Sequence, residues 1–337
     1  MSGFFQLNPD QRAARLLDAG KSALRQWAIA DAELELIKYR ENAVFRVQHD
    51  GQLAALRVHR CGYHSDSELR SELQWMGALA DSGIPVPVAK PTVSGELFIT
   101  YEAPGLPGAV QMDLFEWISG EQLGSVEQGV TDGGAVAHVY RTIGELAARV
   151  HNQSSAWTLP AGFTRHSWDA EGLAGDKPFW GRFWELNSAS PSQRELLTRA
   201  RDRVYRDLAR LDKSRDTFSM IHADFCPENL LVDGARVRLI DFDDAGFGWH
   251  LFELATALYF ISGEPYFAEA KEALLEGYRT HRKLPDQRLE SFQLFLLARG
   301  LTYVGWVHTR PETETAREMT IMLLDGACEL AEDYLSA

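Results

Sequence analysis

Cysteine is scarce in this chain of 337 residues, and the three present, Cys61, Cys226 and Cys328, are scattered with no CxxC pair. An odd, dispersed set excludes a disulfide framework and a cysteine-built zinc site. Basic charge is also in short supply. Lys and Arg total 34 against 48 Asp and Glu, a net charge of −14. Such a field repels nucleic acid and anionic lipid, so neither is an expected partner. No apolar run reaches the roughly 20 residues of a membrane span. The opening MSGFFQLNPDQRAARLL has no basic segment leading into a long apolar core, and a reducing cytoplasm is the expected compartment. There is no internal repeat and no low-complexity tract. What remains, 45% hydrophobic and 24% charged, is the make-up of an ordinary globular protein with room for one large or two unequal domains.

Periodicity divides the chain. In LNPDQRAARLLDAGKSALRQW, Asn8 reads as an N-cap and Pro9 as the first helical residue, with Leu16, Leu17, Leu24 and Trp27 at helical spacing. ELELIKYRENAVFRVQHDGQLAALRVH is strand-like, and its Asp50-Gly51 is a hairpin turn. A helix follows, capped by Ser65 or Asp66, with Leu69, Leu73, Met76 and Leu79 on one face and Gly83 at its C-cap. GIPVPVAKP is an extended connector, and GELFITYE and AVQMDLFEWISG are further strands. After Gly120 the pattern is helical, from GAVAHVYRTIGELAARVHNQ to a last helix ending near Tyr334. The expectation is an α+β chain: a small β-rich lobe over 1–117 and a larger helical lobe over 118–337, joined at DLFEWISGEQLG.

One stretch breaks the helical pattern, MIHADFCPENLLVDGARVRLIDFDDAG, Met220 to Gly246. Two apolar runs, Leu230 to Val232 and Val237 to Ile240, read as a buried hairpin turning at Asp233-Gly234. Polar groups crowd its base: His222, Asp224 and Asn229 before it, Asp241, Asp243 and Asp244 after it. Phosphoryl transfer from ATP needs groups of these types. Asp224 is placed to accept or orient the proton of an attacking hydroxyl, with His222 orienting the loop. Asn229 and Asp241 are hard oxygen donors suited to Mg²⁺, brought side by side by the hairpin. Asp243 can serve either the metal or the substrate. Cys226 has no base beside it and reads as packing.

These residues resemble the aminoglycoside phosphotransferase and choline kinase-like superfamily, which shares the protein-kinase fold. The likeness rests on His222, Asp224, Asn229, Ile240, Asp241, Phe242 and Asp244, a pattern similar to H-x-D-x-x-x-x-N followed by I-D-F-x-D. Within the superfamily the chain looks nearest to the homoserine kinase, hydroxylysine kinase and stress-response kinase branches. The resemblance implies a two-lobe kinase using ATP and Mg²⁺. It implies a basic residue on the third strand, here Arg57 in LAALRVHR, and a helix glutamate, here Glu72 with Glu68 its rival one turn earlier. The glycine-rich phosphate loop is missing; RENAVFRV takes its place, with a turn over 41–44 where the Asn42 backbone would meet a phosphate. The junction from Asp113 to Trp117 would offer backbone hydrogen bonds to adenine, and Phe115 would pack on the ring.

The expected activity is transfer of the γ-phosphate to the hydroxyl of an amino acid, amino alcohol or amino sugar, with Asp243 and Asp244 nearest to the acceptor's amine. A protein Ser/Thr kinase is the alternative, although FDDAGFGWHLFELA leaves little room for an activation loop. A non-enzymatic nucleotide-binding module does not need the full set of Asp224, Asn229 and Asp241. A metal hydrolase lacks further histidines. Trp157, Trp168, Trp180 and Trp184 stand either as an aromatic box for a quaternary ammonium or as core or lid. HSWDAEGLAGDKPFWGRFW, which holds three of them, reads as loop.

Overall fold

A computed structural model describes residues 3–39, 41–124, 136–234 and 236–337. By internal contacts the chain falls into two units, Met1–Gly120 with Pro160–Thr164, and Glu121–Leu159 with Arg165–Ala337.

The first unit begins with α1 (Pro9–Ala23), where Asn8 and Gln11 cap one another reciprocally. Its sheet contains β1 (Glu33–Tyr39), β2 (Ala43–His49), β3 (Gln52–Val58), β4 (Phe98–Tyr101) and β5 (Val110–Glu116), in the order β1-β2-β3-β5-β4. All neighbours are antiparallel. Asp50 and Gly51 both take positive φ, 49° and 74°, as a two-residue turn matched to strand twist requires. α2 (Asp66–Asp81) lies between β3 and β4 in sequence; its cap is Ser65, reciprocated by Glu68. Alternation along β2, β3 and β5 buries Phe45, Leu56, Met112 and Leu114 in one cluster with Leu16 and Leu24.

The second unit contains β6 (Glu121–Gln122), α3 (Val136–Ala156), β7 (Ser167–Trp168), α4 (Ala170–Ala174), α5 (Pro191–Leu208) and β8 (Phe218–Ile221). Then come β9 (Leu230–Asp233), β10 (Arg236–Leu239), β11 (Gly246–Trp249), α6 (His250–Leu258), α7 (Phe267–His281), α8 (Asp286–Leu289), α9 (Phe292–Thr309) and α10 (Glu314–Ser336). Two small sheets run β10-β9-β6 and β7-β11-β8. α3 and α7 approach closely at two glycines. A Cβ on Gly144 would lie 2.0 Å from the Leu274 carbonyl oxygen, and one on Gly277 2.1 Å from that of Arg141. α9 is buried nearly all round, so its sequence has no polar face.

Three features depart from expectation. The β9–β10 hairpin is buried only at its base, at Leu230 and Leu239, while Leu231, Val232 and Val237 are half-exposed. The tryptophan-rich loop carries β7 and α4 because Asp169 caps α4 through the Gly172 N–H. β11, four residues with two glycines, is too short to show a period; at Gly248 a Cβ would meet Ile221 Cδ1 at 2.4 Å. The start of the expected helix at 134–135 lies outside the described residues. Among the described residues no helix is long and apolar enough to cross a membrane.

Candidate active site

In the first unit β3, β5 and α2 bring four polar side chains into the core. Arg57 donates through Nη2 to Glu72 at 2.7 Å, and through Nε and Nη2 to the Asp113 carboxylate at 3.0 and 2.7 Å. His59 meets the same carboxylate at 3.0 Å. The Phe115 ring lies 5.1 Å from the guanidinium. Glu72 is therefore the helix partner of Arg57, and Glu68 is occupied by the α2 cap. Desolvation pushes the Asp113 carboxyl up, but Arg57 and His59 outweigh it and hold the group below the ordinary carboxylate range.

Asp113 sits elsewhere than expected. It is mid-strand in β5, paired with Arg57 of β3 and Phe98 of β4, its carboxylate wholly buried. A residue flanked by strands on both sides is not a junction residue, and its side chain is the counter-ion of Arg57. Phe115 is also within β5, bridged to Ala89 and largely buried. Asn42 is buried at the turn between β1 and β2, where its Oδ1 accepts from the Arg60 N–H at 2.9 Å, and Glu41 pairs with the Arg60 guanidinium.

In the second unit the loop from β8 to β9 is held at every step. Glu253 of α6 is wholly buried and accepts from the His222 N–H at 3.1 Å and the Ala223 N–H at 2.5 Å. Ala223 has φ 63°, a conformation a non-glycine residue keeps only when its surroundings impose it. The His222 ring accepts the Asp224 N–H at Nδ1, 3.3 Å, and donates from Nε2 to the Ile240 carbonyl, 3.0 Å. One imidazole thus ties the loop to the base of the hairpin.

Asp224 is held at both carboxylate oxygens. Asn229 Nδ2 donates to Oδ2 at 2.7 Å and to the Asp224 carbonyl at 2.9 Å, and Arg299 of α9 donates to Oδ1 at 2.8 Å. The Asn229 amide nitrogen is spent on Asp224, which leaves its oxygen as the group able to face a cation. The Ile240 N–H donates to the Asn229 carbonyl at 2.9 Å, so the residue after β10, Asp241, emerges beside Asn229. Asp241 is exposed, with φ 67°. Burial first, then the charges of Asp224 and Glu228, push the Cys226 thiol well above its ordinary value, so it is an inert packing group.

The segment after Asp241 is tied through its backbone. Arg165 donates to the carbonyls of Asp243 and Ala245, and Trp168 Nε1 to that of Asp244. The Asp243 side chain is buried and that of Asp244 half-buried. Trp168 and Trp180 pack edge to face at 5.2 Å, both buried, while Trp184 packs against Phe183 and Arg201. Trp168 and Trp180 serve the core, while Trp157 and Trp184 are half-buried.

Glu253, Arg299 and His59 were not singled out from sequence. Two carry a signal: Glu253 and Arg299 are ionisable residues inside apolar runs, HLFELATAL and FLLARGLTYVGW, and a buried charge needs a partner. What sequence does not reveal is which partner.

Comparison with known proteins identifies the family. Residues 33–288 match the model of the phosphotransferase enzyme family. The structure of a microcompartment-associated aminopropanol kinase is 33% identical, covers 95% of this chain and 98% of its own, and superposes with a TM-score of 0.84. An amicoumacin kinase solved with AMP-PNP, Ca²⁺ and Ami is 19% identical over 94% of this chain and 93% of its own, TM-score 0.74. The amicoumacin kinase of Bacillus subtilis (strain 168) is 22% identical over 90% of this chain and 88% of its own. The fold is the expected α+β, protein-kinase-like class. With the family model running through both units, and a third of the residues shared with a kinase over nearly the whole length, the chain belongs to the phosphotransferase enzyme family and is a kinase.

Proposed function

We propose that the chain transfers the γ-phosphoryl group of ATP to the hydroxyl of a small amino alcohol or hydroxy-amino acid. The observation that carries this is the Asp224 carboxylate, part-exposed and held at each oxygen by one donor, on a loop clamped by Glu253. A carboxylate offers about four lone-pair sites, so each held oxygen keeps one for the acceptor hydroxyl. Asp224 orients that hydroxyl and takes its proton as the oxygen–phosphorus bond forms and ADP departs. His222 keeps the loop in register with the hairpin.

The donor set fits a divalent cation. Asn229 presents an amide oxygen and Asp241 an exposed carboxylate, both hard donors suited to Mg²⁺. Bound there, Mg²⁺ would neutralise charge on the phosphates. In the first unit Arg57 is the proposed cation for the α- and β-phosphates, fixed by Glu72 and Asp113, with Asn42 and the backbone beyond Phe115 as further nucleotide contacts. For the acceptor's amine, half-buried Asp244 is more accessible than buried Asp243. An amino alcohol acceptor is favoured because an aminopropanol kinase is 33% identical to this chain over 95% of its length. A peptide acceptor is disfavoured because Asp241 is followed within a few residues by β11 and α6, with no intervening platform. Dependence on ATP supports a cytoplasmic location.

The test is ADP release with ATP and Mg²⁺ over a panel of aminopropanol, ethanolamine, homoserine, hydroxylysine and an aminoglycoside. Turnover of an amino alcohol, lost in Asp224→Asn, is expected. No turnover of any member, with phosphate appearing on protein instead, would overturn the reading.

A further inference from the structure

We infer that Arg299 is a positioning residue for phosphoryl transfer, a buried cation that fixes the Asp224 carboxylate from the side opposite Asn229. The inference rests on the reading of Asp224 as the acceptor-side carboxylate.

Arg299 lies in the middle of α9 and is 0% exposed. Its Nη2 forks between Asp224 Oδ1 at 2.8 Å and the Tyr303 hydroxyl at 2.7 Å. The rings of Tyr303 and Trp180 lie near the guanidinium at 4.2 and 4.8 Å. The cation held by a tryptophan here is therefore the protein's own, and the place that sequence assigned to a quaternary ammonium is taken. Nε and Nη1 are buried without a hydrogen-bond partner.

For stability alone this is a poor arrangement. A buried guanidinium with two unmet donors is unfavourable, and the α9 neighbours Leu296, Leu297, Leu301 and Val304 show which residues suit the site. Among the described residues, the only anion that Arg299 touches through a hydrogen bond is Asp224. Aromatic rings constrain the guanidinium plane, and the Tyr303 hydroxyl constrains its end. The plane in turn constrains Asp224, whose second oxygen is pinned by Asn229. Two donors on different elements leave the carboxylate little rotation. Proton acceptance in the transfer is sensitive to that angle, whereas nucleotide binding in the first unit is not. Lysine would supply charge but not the planar fork.

The experiment compares Arg299→Met, Arg299→Ala and Asp224→Asn with the wild type. It measures kcat, KM for ATP and acceptor, AMP-PNP affinity with Mg²⁺, and Tm. Arg299→Met is expected to lower kcat by about 100-fold, the scale of a misplaced reacting group, with AMP-PNP affinity and KM for ATP within about threefold and Tm not lowered. Arg299→Ala is expected to regain activity with guanidinium or methylguanidinium at tens of millimolar, concentrations far below denaturing ones, and not with ethylammonium. The double variant should be no slower than Asp224→Asn alone. A kcat for Arg299→Met near wild type, or independent multiplication of the two losses, would overturn the inference. Should both Arg299 variants fail to fold, Tyr303→Phe keeps the ring and must lower kcat severalfold at constant KM for ATP; an unchanged kcat overturns the inference. An active Asp224→Asn would instead sink the reading of Asp224 itself, which is a different outcome from an inactive Asp224→Asn beside an active Arg299→Met.

Discussion

Replacing Glu253 by glutamine separates stability from activity, because the two effects of the substitution oppose one another in one and not in the other. Burial pushes the Glu253 carboxyl from 4.5 up to about 6, against the weaker pull of the nearby His222 ring, the Ala223 and His222 N–H groups and Arg299. The group is thus protonated more readily folded than unfolded. As pH rises from about 4.5 to about 6 the unfolded chain releases this proton first, so stability falls across that window. At pH 7 the ionised, buried group costs about 2 kcal/mol relative to its unfolded counterpart. Glutamine removes that cost. It also brings its own: an amide has one acceptor oxygen where the carboxylate had two. If the oxygen stays on the Ala223 N–H, the amide nitrogen faces the His222 N–H, donor against donor. His151 can adapt by exchanging tautomers with the Tyr278 hydroxyl, 2.9 Å from its Nδ1, but a backbone N–H cannot. One orphaned buried donor costs roughly 1–3 kcal/mol.

The two terms nearly cancel, so Tm at pH 7 is expected to move by only a few degrees in either direction. Activity has no such compensation. Ala223 holds its positive φ under the Glu253 clamp, and Asp224 is the next residue. A carboxylate displaced by about 1 Å loses about 100-fold in rate. Steady-state kinetics from pH 5 to 8 with thermal melts provide the assay. Wild-type kcat should fall as pH drops through about 6, where the protonated carboxyl becomes equivalent to the amide. Glu253→Gln should be slow throughout and lack that limb. A variant with wild-type kcat and an intact acid limb would refute the reasoning, as would a rate loss that tracks the unfolded fraction.

Arg57→Met should leave the Glu72 and Asp113 carboxylates buried without their guanidinium, with a loss of roughly 3–5 kcal/mol by chemical denaturation and a raised KM for ATP. Asp113→Asn should flatten the acid side of the stability curve, since a depressed carboxyl contributes stability above its unfolded pKa that is lost as pH falls through the lower folded value. Asn229→Leu should abolish Mn²⁺ binding detected by electron paramagnetic resonance in the presence of AMP-PNP, and chelation of divalent ions should stop turnover of the wild type. Gly144→Val must push α3 from the Leu274 carbonyl and should cost more than about 3 kcal/mol, read as lost soluble yield or a lowered Tm.

What sequence made legible was whatever is local. Asn8 with Gln11, Ser65 with Glu68, and Asp50-Gly51 are decided within four residues, by caps and turn chemistry whose partners are adjacent. The polar crowd from His222 to Asp241 was legible for a similar reason: a short hairpin ties its ends together whatever surrounds it. Asp113 was misplaced because strand and junction share the residues QMDLFEW, and only pairing on both sides shows where the sheet stops. The tryptophans were ambiguous because an indole that seats a cation and one that fills a core have the same spacing. Arg299 decides the question from elsewhere in the chain.

Asp113 and Glu253, both wholly buried carboxylates, show why partners outrank burial. Desolvation raises both. Asp113 has a guanidinium and an imidazole within hydrogen-bond reach, and ends below its ordinary value. Glu253 has backbone dipoles and His151, whose own burial holds it well below its usual range and so neutral. Dipoles without a contacting cation do not offset the desolvation, and the carboxyl rises to about 6. Asp113 is therefore a permanent counter-ion at any pH where the protein works, whereas Glu253 titrates just below neutrality. An acid limb near 6 in turnover therefore reports the clamp on the β8–β9 loop and not the Arg57 cluster. Asp113→Asn should leave that limb in place while Glu253→Gln removes it.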